Sequence, residues 1–135
     1  MNAARRVAMI AALAACPAIV CAQAWPTKPV RVIIVFPAAG SNDVTGRIVF
    51  GRLPQMLNQQ FVIENRGGSG GVIGSELVAK SPPDGYTLMV QSTTHVSNAH
   101  LYRKLPYDVL KDFTGVTTLA RQIGVLVSHP SLPVK

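Results

Sequence analysis

Asn65-Arg66-Gly67-Gly68-Ser69-Gly70-Gly71-Val72-Ile73-Gly74 is the stretch on which the reading of this chain turns. It follows a short apolar run, Phe61-Val62-Ile63-Glu64, and precedes a segment with helical character from Val72 to Lys80. Strand, glycine loop, helix is the layout that turns backbone N–H groups toward an anion. Glycine admits positive φ and close approach, and the helix start adds partial positive charge. A tight turn whose glycines only permit close packing is the simpler alternative.

The neighbouring segments repeat the layout. Val30 to Phe36 is mostly β-branched with little alternation, which predicts a strand buried on both faces and therefore parallel. Pro37-Ala38-Ala39-Gly40-Ser41-Asn42 is a loop, with Asp43 as the expected N-cap of a helix carrying Val44, Ile48, Val49, Leu53, Met56 and Leu57 at helical spacing. Gly51 and Pro54 predict that this helix ends or kinks near Phe50 and resumes. Pro82-Pro83-Asp84-Gly85 is a turn, Tyr86 to Gln91 a third strand, and Ser92-Thr93-Thr94-His95 a third polar loop. A helical turn is expected from Asn98 to Tyr102, irregular chain from Leu105 to Phe113, and two more strands at 114–119 and 124–128. The order β-α-β-α-β predicts an α/β fold with a parallel sheet, helices on both faces and right-handed crossovers. In such sheets ligands sit beyond the carboxyl ends of the strands, where all three polar loops fall.

The first two dozen residues read as an export signal. Met1 to Arg6 is basic, Val7 to Val20 is apolar, and Ala22-Gln23-Ala24 has the small-x-small pattern of a signal peptidase site, with cleavage expected after Ala24. The apolar run, with Pro17 inside it, is too short for a retained spanning helix. Leu13-Ala14-Ala15-Cys16 also fits a lipoprotein box, which would anchor the protein at Cys16. Cys16 and Cys21 both precede the preferred cleavage point, so a disulfide framework or Cys-ligated metal is not expected. Losing Arg5 and Arg6 lowers the formal charge from +7 to +5. The remaining cations form no run and have little aromatic interleaving, which argues against nucleic acid and leaves an anionic small molecule as partner.

The glycine loop partly matches several catalytic and nucleotide-binding motifs. Gly67-Gly68-Ser69-Gly70-Gly71 satisfies G-x-S-x-G, so a secreted serine hydrolase using Ser69 is the runner-up reading. An elbow serine belongs directly at the strand's end, however, and here four residues intervene; Asp84, Asp108, Asp112, His95, His100 and His129 show no pairing with it. A dinucleotide fingerprint fails because Ile73 stands at the third glycine place, and a P-loop fails because no Lys-Ser/Thr follows. The three histidines have no metal spacing, and no cofactor or metal is expected.

Taken together, the motifs carry a family resemblance. Trp25-Pro26-Thr27-Lys28-Pro29-Val30-Arg31, Phe36-Pro37 with Gly40 and Asp43, Glu64 to Gly71, Pro83-Asp84-Gly85-Tyr86-Thr87-Leu88, and Leu105-Pro106-Tyr107-Asp108 with Lys111-Asp112-Phe113 occur in this order. The series resembles the tripartite tricarboxylate transporter receptors, the Bug (Bordetella uptake gene) periplasmic solute-binding proteins. That resemblance implies a periplasmic-binding-protein type II fold of two α/β lobes with a carboxylate in the cleft. It implies no enzymatic activity, and a monomeric receptor that serves membrane permease subunits of a tripartite tricarboxylate transporter. Carried over, the ligand-binding positions are Pro37, Gly40, Ser41, Asn42 and Asp43, then Gly68, Ser69, Gly70 and Gly71, then Ser92, Thr93, Thr94 and His95. The chain departs from the family at Ala38-Ala39, where Pro-Gly is usual, at Gly67, which replaces a common proline, and at Pro54. It departs most in length. By the resemblance, 25–113 is the N-terminal part of lobe one and 114–135 a hinge-crossing strand with the start of lobe two. The rest of the second lobe is missing, as in a truncated or partial copy.

N-terminal sequencing of the exported protein is expected to begin at Trp25; a diacylated Cys16 at the N-terminus would instead make it a lipoprotein.

Overall fold

The computed structural model describes residues 25–121 and 123–132; the expected export signal and its cleavage site lie outside them. Strand β1, Val30–Ile34, occupies the centre of a three-stranded sheet of order β2-β1-β3. Its neighbours are β2, Phe61–Asn65, and β3, Thr87–Val90, and both pairings are parallel. Val30 lies opposite Phe61 and Ile34 opposite Asn65 on one side, while Arg31 faces Thr87 and Ile34 faces Val90 on the other. A strand flanked on both edges and covered on both faces excludes water from every apolar side chain. Accordingly Val30, Val32, Ile33, Ile34 and the following Val35 have no exposed surface. Burying each contributes roughly 1.5–3 kcal/mol.

The two faces of β1 take different helices. Val30, Val32 and Ile34 cluster with Phe50, Phe61 and Val90, and Leu53 and Leu57 pack against them. This face therefore belongs to helix α1, Ser41–Phe50, and the short helix α2, Leu53–Leu57. Helix α3, Val72–Ala79, lies on the opposite face, where a Cβ at Gly74 would come within 2.7 Å of Val35 Cγ1 and 2.5 Å of the Arg66 carbonyl oxygen. The connection β1-α1-α2-β2 moves outward in one direction, and β2-α3-β3 returns past β1 in the other. Two crossovers of the same hand running in opposite directions must cover opposite faces, as these do. The sheet is thus α/β and parallel with helices on both faces, as the strand and loop pattern predicts.

Several local expectations are corrected. Helix α1 begins at Ser41 with Gly40 as its N-cap, so Asp43 lies inside the first turn and is not the cap. Its carboxylate instead accepts the Ala39 N–H at 2.8 Å, reaching back to the loop that precedes the helix. The break after Phe50 falls where Gly51 and Pro54 place it. Gly51 closes α1, and Pro54 stands in the first turn of α2, where a missing N–H costs no helical bond. Thr94 and His95, expected in a loop, open a full helix α4, Thr94–Leu101, which replaces the anticipated single turn from Asn98 to Tyr102.

The strands expected at 114–119 and 124–128 are not formed. An apolar extended segment becomes a strand only when a neighbour supplies a hydrogen-bonding edge, and among the described residues this stretch has none. Leu119 packs against the core, whereas Val116, Ile123, Val125, Leu126 and Val127 are largely exposed.

Gly74→Ala forces a methyl group into backbone and the Val35 side chain, so it should destabilise the fold by about 1–3 kcal/mol in urea melts, with an unchanged m-value.

Candidate functional site

The reversal of winding direction lies between β1 and β3. There the chain leaves β1 toward one face and leaves β3 toward the other, so the following loops part and open a crevice. Residues from Phe36 to Asn42 form one wall and Ser92 to Thr94 the other, enclosing about 480 Å³. A wider region of about 740 Å³ shares Ser41, Asn42, Ser92 and Thr93 and continues to Thr117–Arg121. The walls mix apolar side chains (Phe36, Pro37, Val90 and Leu119 among them) with the hydroxyls of serine and threonine and the amides of Asn42 and Gln91, and Arg121 is the charged side chain among the described lining residues. Neutral donors in a concave site suit a small anion, because they solvate charge without introducing a repelling one.

The first wall is held by a polar network around the buried Asp43. Asp43, 3% exposed, accepts the Ala39 N–H through Oδ2. It also accepts Arg47 Nε at 2.9 and 3.0 Å and Asn65 Nδ2 at 2.9 Å. Asn65 Nδ2 donates further to the Phe36 carbonyl at 3.1 Å, and Arg47 Nη2 donates to Asn65 Oδ1 at 2.9 Å. The Arg47 guanidinium, then Asn65 and the Ala39 amide, hold the Asp43 carboxyl down at about 2. Ala39 has φ 66°, a left-handed conformation that a non-glycine residue keeps only when the surroundings hold it.

The glycine loop stands beside this wall. Arg66 donates its N–H to the Ile34 carbonyl at 2.8 Å, and Gly67 lies where a Cβ would sit 3.4 Å from Pro37. Gly68, Ser69, Gly70 and Gly71 all have positive φ, the strict reason for glycine at three of these positions. Helix α4 fixes the loop from outside: Tyr102 Oη donates to the Ser69 carbonyl at 2.9 Å, and the buried Asn98 Nδ2 to the Gly70 carbonyl at 3.1 Å. Since C=O and N–H point oppositely across a trans peptide, the Gly70 N–H is turned away from α4. On the second wall, Ser92 donates its N–H to Gln91 Oε1 at 2.9 Å, and its hydroxyl pairs with Thr94 Oγ1 at 3.0 Å.

The candidates from sequence therefore separate into groups. Pro37, Gly40, Ser41 and Asn42 meet Ser92, Thr93 and Thr94 across the crevice. Gly68 to Gly71 adjoin the first wall without lining either cavity. The Asp43 carboxylate is occupied by its own network. His95 packs elsewhere, its ring stacked on Tyr107 at 5.9 Å and edge-on to Phe113 at 4.7 Å, so it anchors the irregular 105–113 segment and does not line the crevice. Burial lowers the His95 pKa, opposed by a hydrogen bond with the Val109 backbone. Asn65, Arg47, Asn98 and Tyr102 were missed from sequence. Only the i,i+4 spacing of Asp43 and Arg47 could have signalled one of them.

With the geometry in place, known proteins supply the frame. The profile of the tripartite tricarboxylate transporter family receptor matches residues 45–135. The chain belongs to that family. BugT of Bordetella pertussis is 39% identical over 137 residues, covering 98% of this chain and 42% of its own length. An uncharacterised protein from the tcbD-tcbE intergenic region of Pseudomonas sp. strain P51 is 40% identical over 105 residues, 78% of this chain and 31% of its own. Among solved structures, one described as a periplasmic transporter is 44% identical with a TM-score of 0.60, covering 65% of this chain and 30% of that one. MatC from Rhodopseudomonas palustris, solved with bound malate, is 34% identical with a TM-score of 0.60, covering 67% and 31%. Another R. palustris protein, solved with adipate, is 36% identical with a TM-score of 0.56, covering 63% and 29%. The chain spans about a third of the length of the relatives it matches.

Tripartite tricarboxylate transporter receptors are periplasmic binding proteins, not enzymes, which removes the hydrolase reading of Ser69. Ser69 itself sits on a left-handed turn, Ser69–Gly71, and the His95 ring packs against Tyr107 and Phe113.

The ion pairs carry an acid limit. Asp43 and Glu64, the latter held near 2 chiefly by Arg31, have depressed folded pKa values. Their stabilisation is therefore complete above the ordinary carboxylate value of about 4 and is lost as pH falls toward about 2. The depressed pKa of His95 has the same sense, its contribution being present above about 6.5 and lost on acidification below it. Melting temperature should thus fall in two steps on acidification, and His95→Phe, which keeps the ring stack, should flatten the step that begins below about pH 6.5.

Proposed function

We propose that this chain is the first-lobe part of an extracytoplasmic receptor that holds a small carboxylate and delivers it to the membrane permease subunits of a tripartite tricarboxylate-type transporter. The observation that carries this reading is the crevice at the β1/β3 reversal, walled by backbone amides and neutral hydroxyl and amide side chains. Ser41 and Asn42 offer side-chain donors from one side, and the hydroxyls of Ser92, Thr93 and Thr94 from the other, while the Gly40 and Ser92 N–H groups are spent on Pro37 and Gln91. Gly68 to Gly71 stand beside the first wall, outside both cavities, with the Ser69 and Gly70 carbonyls held by Tyr102 and Asn98 and the Gly71 N–H donated to the Gly68 carbonyl. Family membership and the malate and adipate bound to two relatives support the ligand class.

Residues 114–135 are proposed to leave this lobe, with the stretch near Thr114 crossing a hinge and the residues from Gly124 beginning a second lobe. The exposure of Val125, Leu126 and Val127 supports that division, since apolar residues of an extended segment need a layer to cover them. Secretion to the periplasm through residues 1–24, cleavage after Ala24 and action as a monomer complete the reading.

The test is titration with malate, followed by amide chemical shifts. Perturbations should cluster at residues 38–42 and 92–94, with a dissociation constant on the order of millimolar, about −4 kcal/mol, as suits a few neutral donors. Asn42→Ala should weaken binding by about 0.5–1.5 kcal/mol. Shifts scattered over exposed lysines and arginines, unaffected by Asn42→Ala, would instead mark non-specific charge pairing.

A further inference from the structure

We propose that Asp43 is the positioning residue of the crevice: joined to Arg47 and Asn65, it fixes the backbone from Phe36 to Gly40 while its own charge is withheld from the ligand. This rests on the reading that the crevice takes a carboxylate. An acidic side chain three residues into the helix that starts at such a site is otherwise a liability, because it would repel the anion. The geometry removes the liability. Both carboxylate oxygens are occupied by the Ala39 amide, the Arg47 guanidinium and the Asn65 amide, and the residue is buried.

The same bonds join β2, α1 and the chain leaving β1, the elements of the first wall. Asn65 ends β2, and its Nδ2 bridges from Asp43 to the carbonyl of Phe36, just beyond β1. Arg47 lies one turn along α1 and closes the ring through Asn65 Oδ1. Ala39, held at positive φ, hangs from Asp43 Oδ2 by its N–H. Asp43 thereby sets which way the 38–39 and neighbouring peptides face, and Gly40, Ser41 and Asn42 follow directly. The anion is recognised by donors that Asp43 aims and does not itself supply.

Two simpler roles make opposite forecasts. Were Asp43 only a nearby negative charge, Asp43→Asn would tighten anion binding. Were it only structural, the variant would melt earlier and bind unchanged. Positioning requires that Asp43→Asn, nearly isosteric, weaken malate binding by about tenfold or more per folded molecule and speed hydrogen exchange at the Ala39 amide. Arg47→Gln should also weaken binding, Arg47→Lys should restore part of it, and the double variant Asp43→Asn/Arg47→Gln, though neutral, should not recover it. The experiment is NMR titration of the full chain with malate alongside amide exchange at Ala39. Tighter binding in Asp43→Asn, unchanged affinity with a lower melting temperature, or unchanged Ala39 exchange would each overturn the proposal. Absence of malate binding in the unsubstituted protein would overturn the receptor reading instead, and the Ala39 exchange rates would still decide whether Asp43 holds the loop.

Discussion

Parallel pairing on both edges of β1 is the constraint from which the rest of this molecule follows. A strand with neighbours on either side satisfies its backbone internally and exposes two faces, each of which needs an apolar cover. Val30, Val32 and Ile34 supply one face and Ile33 and Val35 the other, all without exposed surface. Because β2 and β3 lie on opposite sides of β1, the two crossovers run in opposite directions and their helices fall on opposite faces. The crevice between the loops after β1 and β3 is a geometric consequence of that winding. No residue of the crevice had to be selected to create it.

What the loops add is direction. Glycine at 68, 70 and 71 permits left-handed backbone, but permission does not choose a conformation. The choice is made by side chains on other elements. Asn98 and Tyr102 of α4 hold the carbonyls of the glycine loop, and Asp43, Arg47 and Asn65 hold the loop after β1. Asp43 and Asn98 are the buried members of the two devices, so their bonds are strengthened and their omission would be costly. A receptor that solvates an anion with neutral donors depends on such aiming, since dipoles fall off steeply with misorientation while a formal charge does not.

Membership of the tripartite tricarboxylate transporter receptor family gives these features a common purpose, and the partial coverage of the relatives frames their extent. The described residues up to Phe113 present a formed sheet, a crevice and a supported loop system. The stretch beyond Phe113 has a different character. Apart from Leu119, which reaches the core, its apolar residues face solvent and it forms no ladder among the described residues. An apolar sequence of this kind has the composition of a strand and lacks the partner that would make it one.

The sequence by itself determined the elements and their order. Hydrophobic pattern and β-branching marked β1, Gly51 and Pro54 marked the break between α1 and α2, and the glycine run marked the turn into α3. These are local properties of composition and backbone freedom, legible along the chain. Only the tertiary structure decided which candidate residues meet. Asp43 read as a helix cap and a ligand contact, yet Asn65, twenty-two positions away, captures its carboxylate. His95 read as a loop donor, yet Tyr107 and Phe113 close over its ring. The segments at 114–119 and 124–128 read as strands from their β-branched residues, yet a strand is a pairing, and no edge is offered to them among the described residues. In each case the deciding partner is remote in sequence, so periodicity and spacing carry no trace of it.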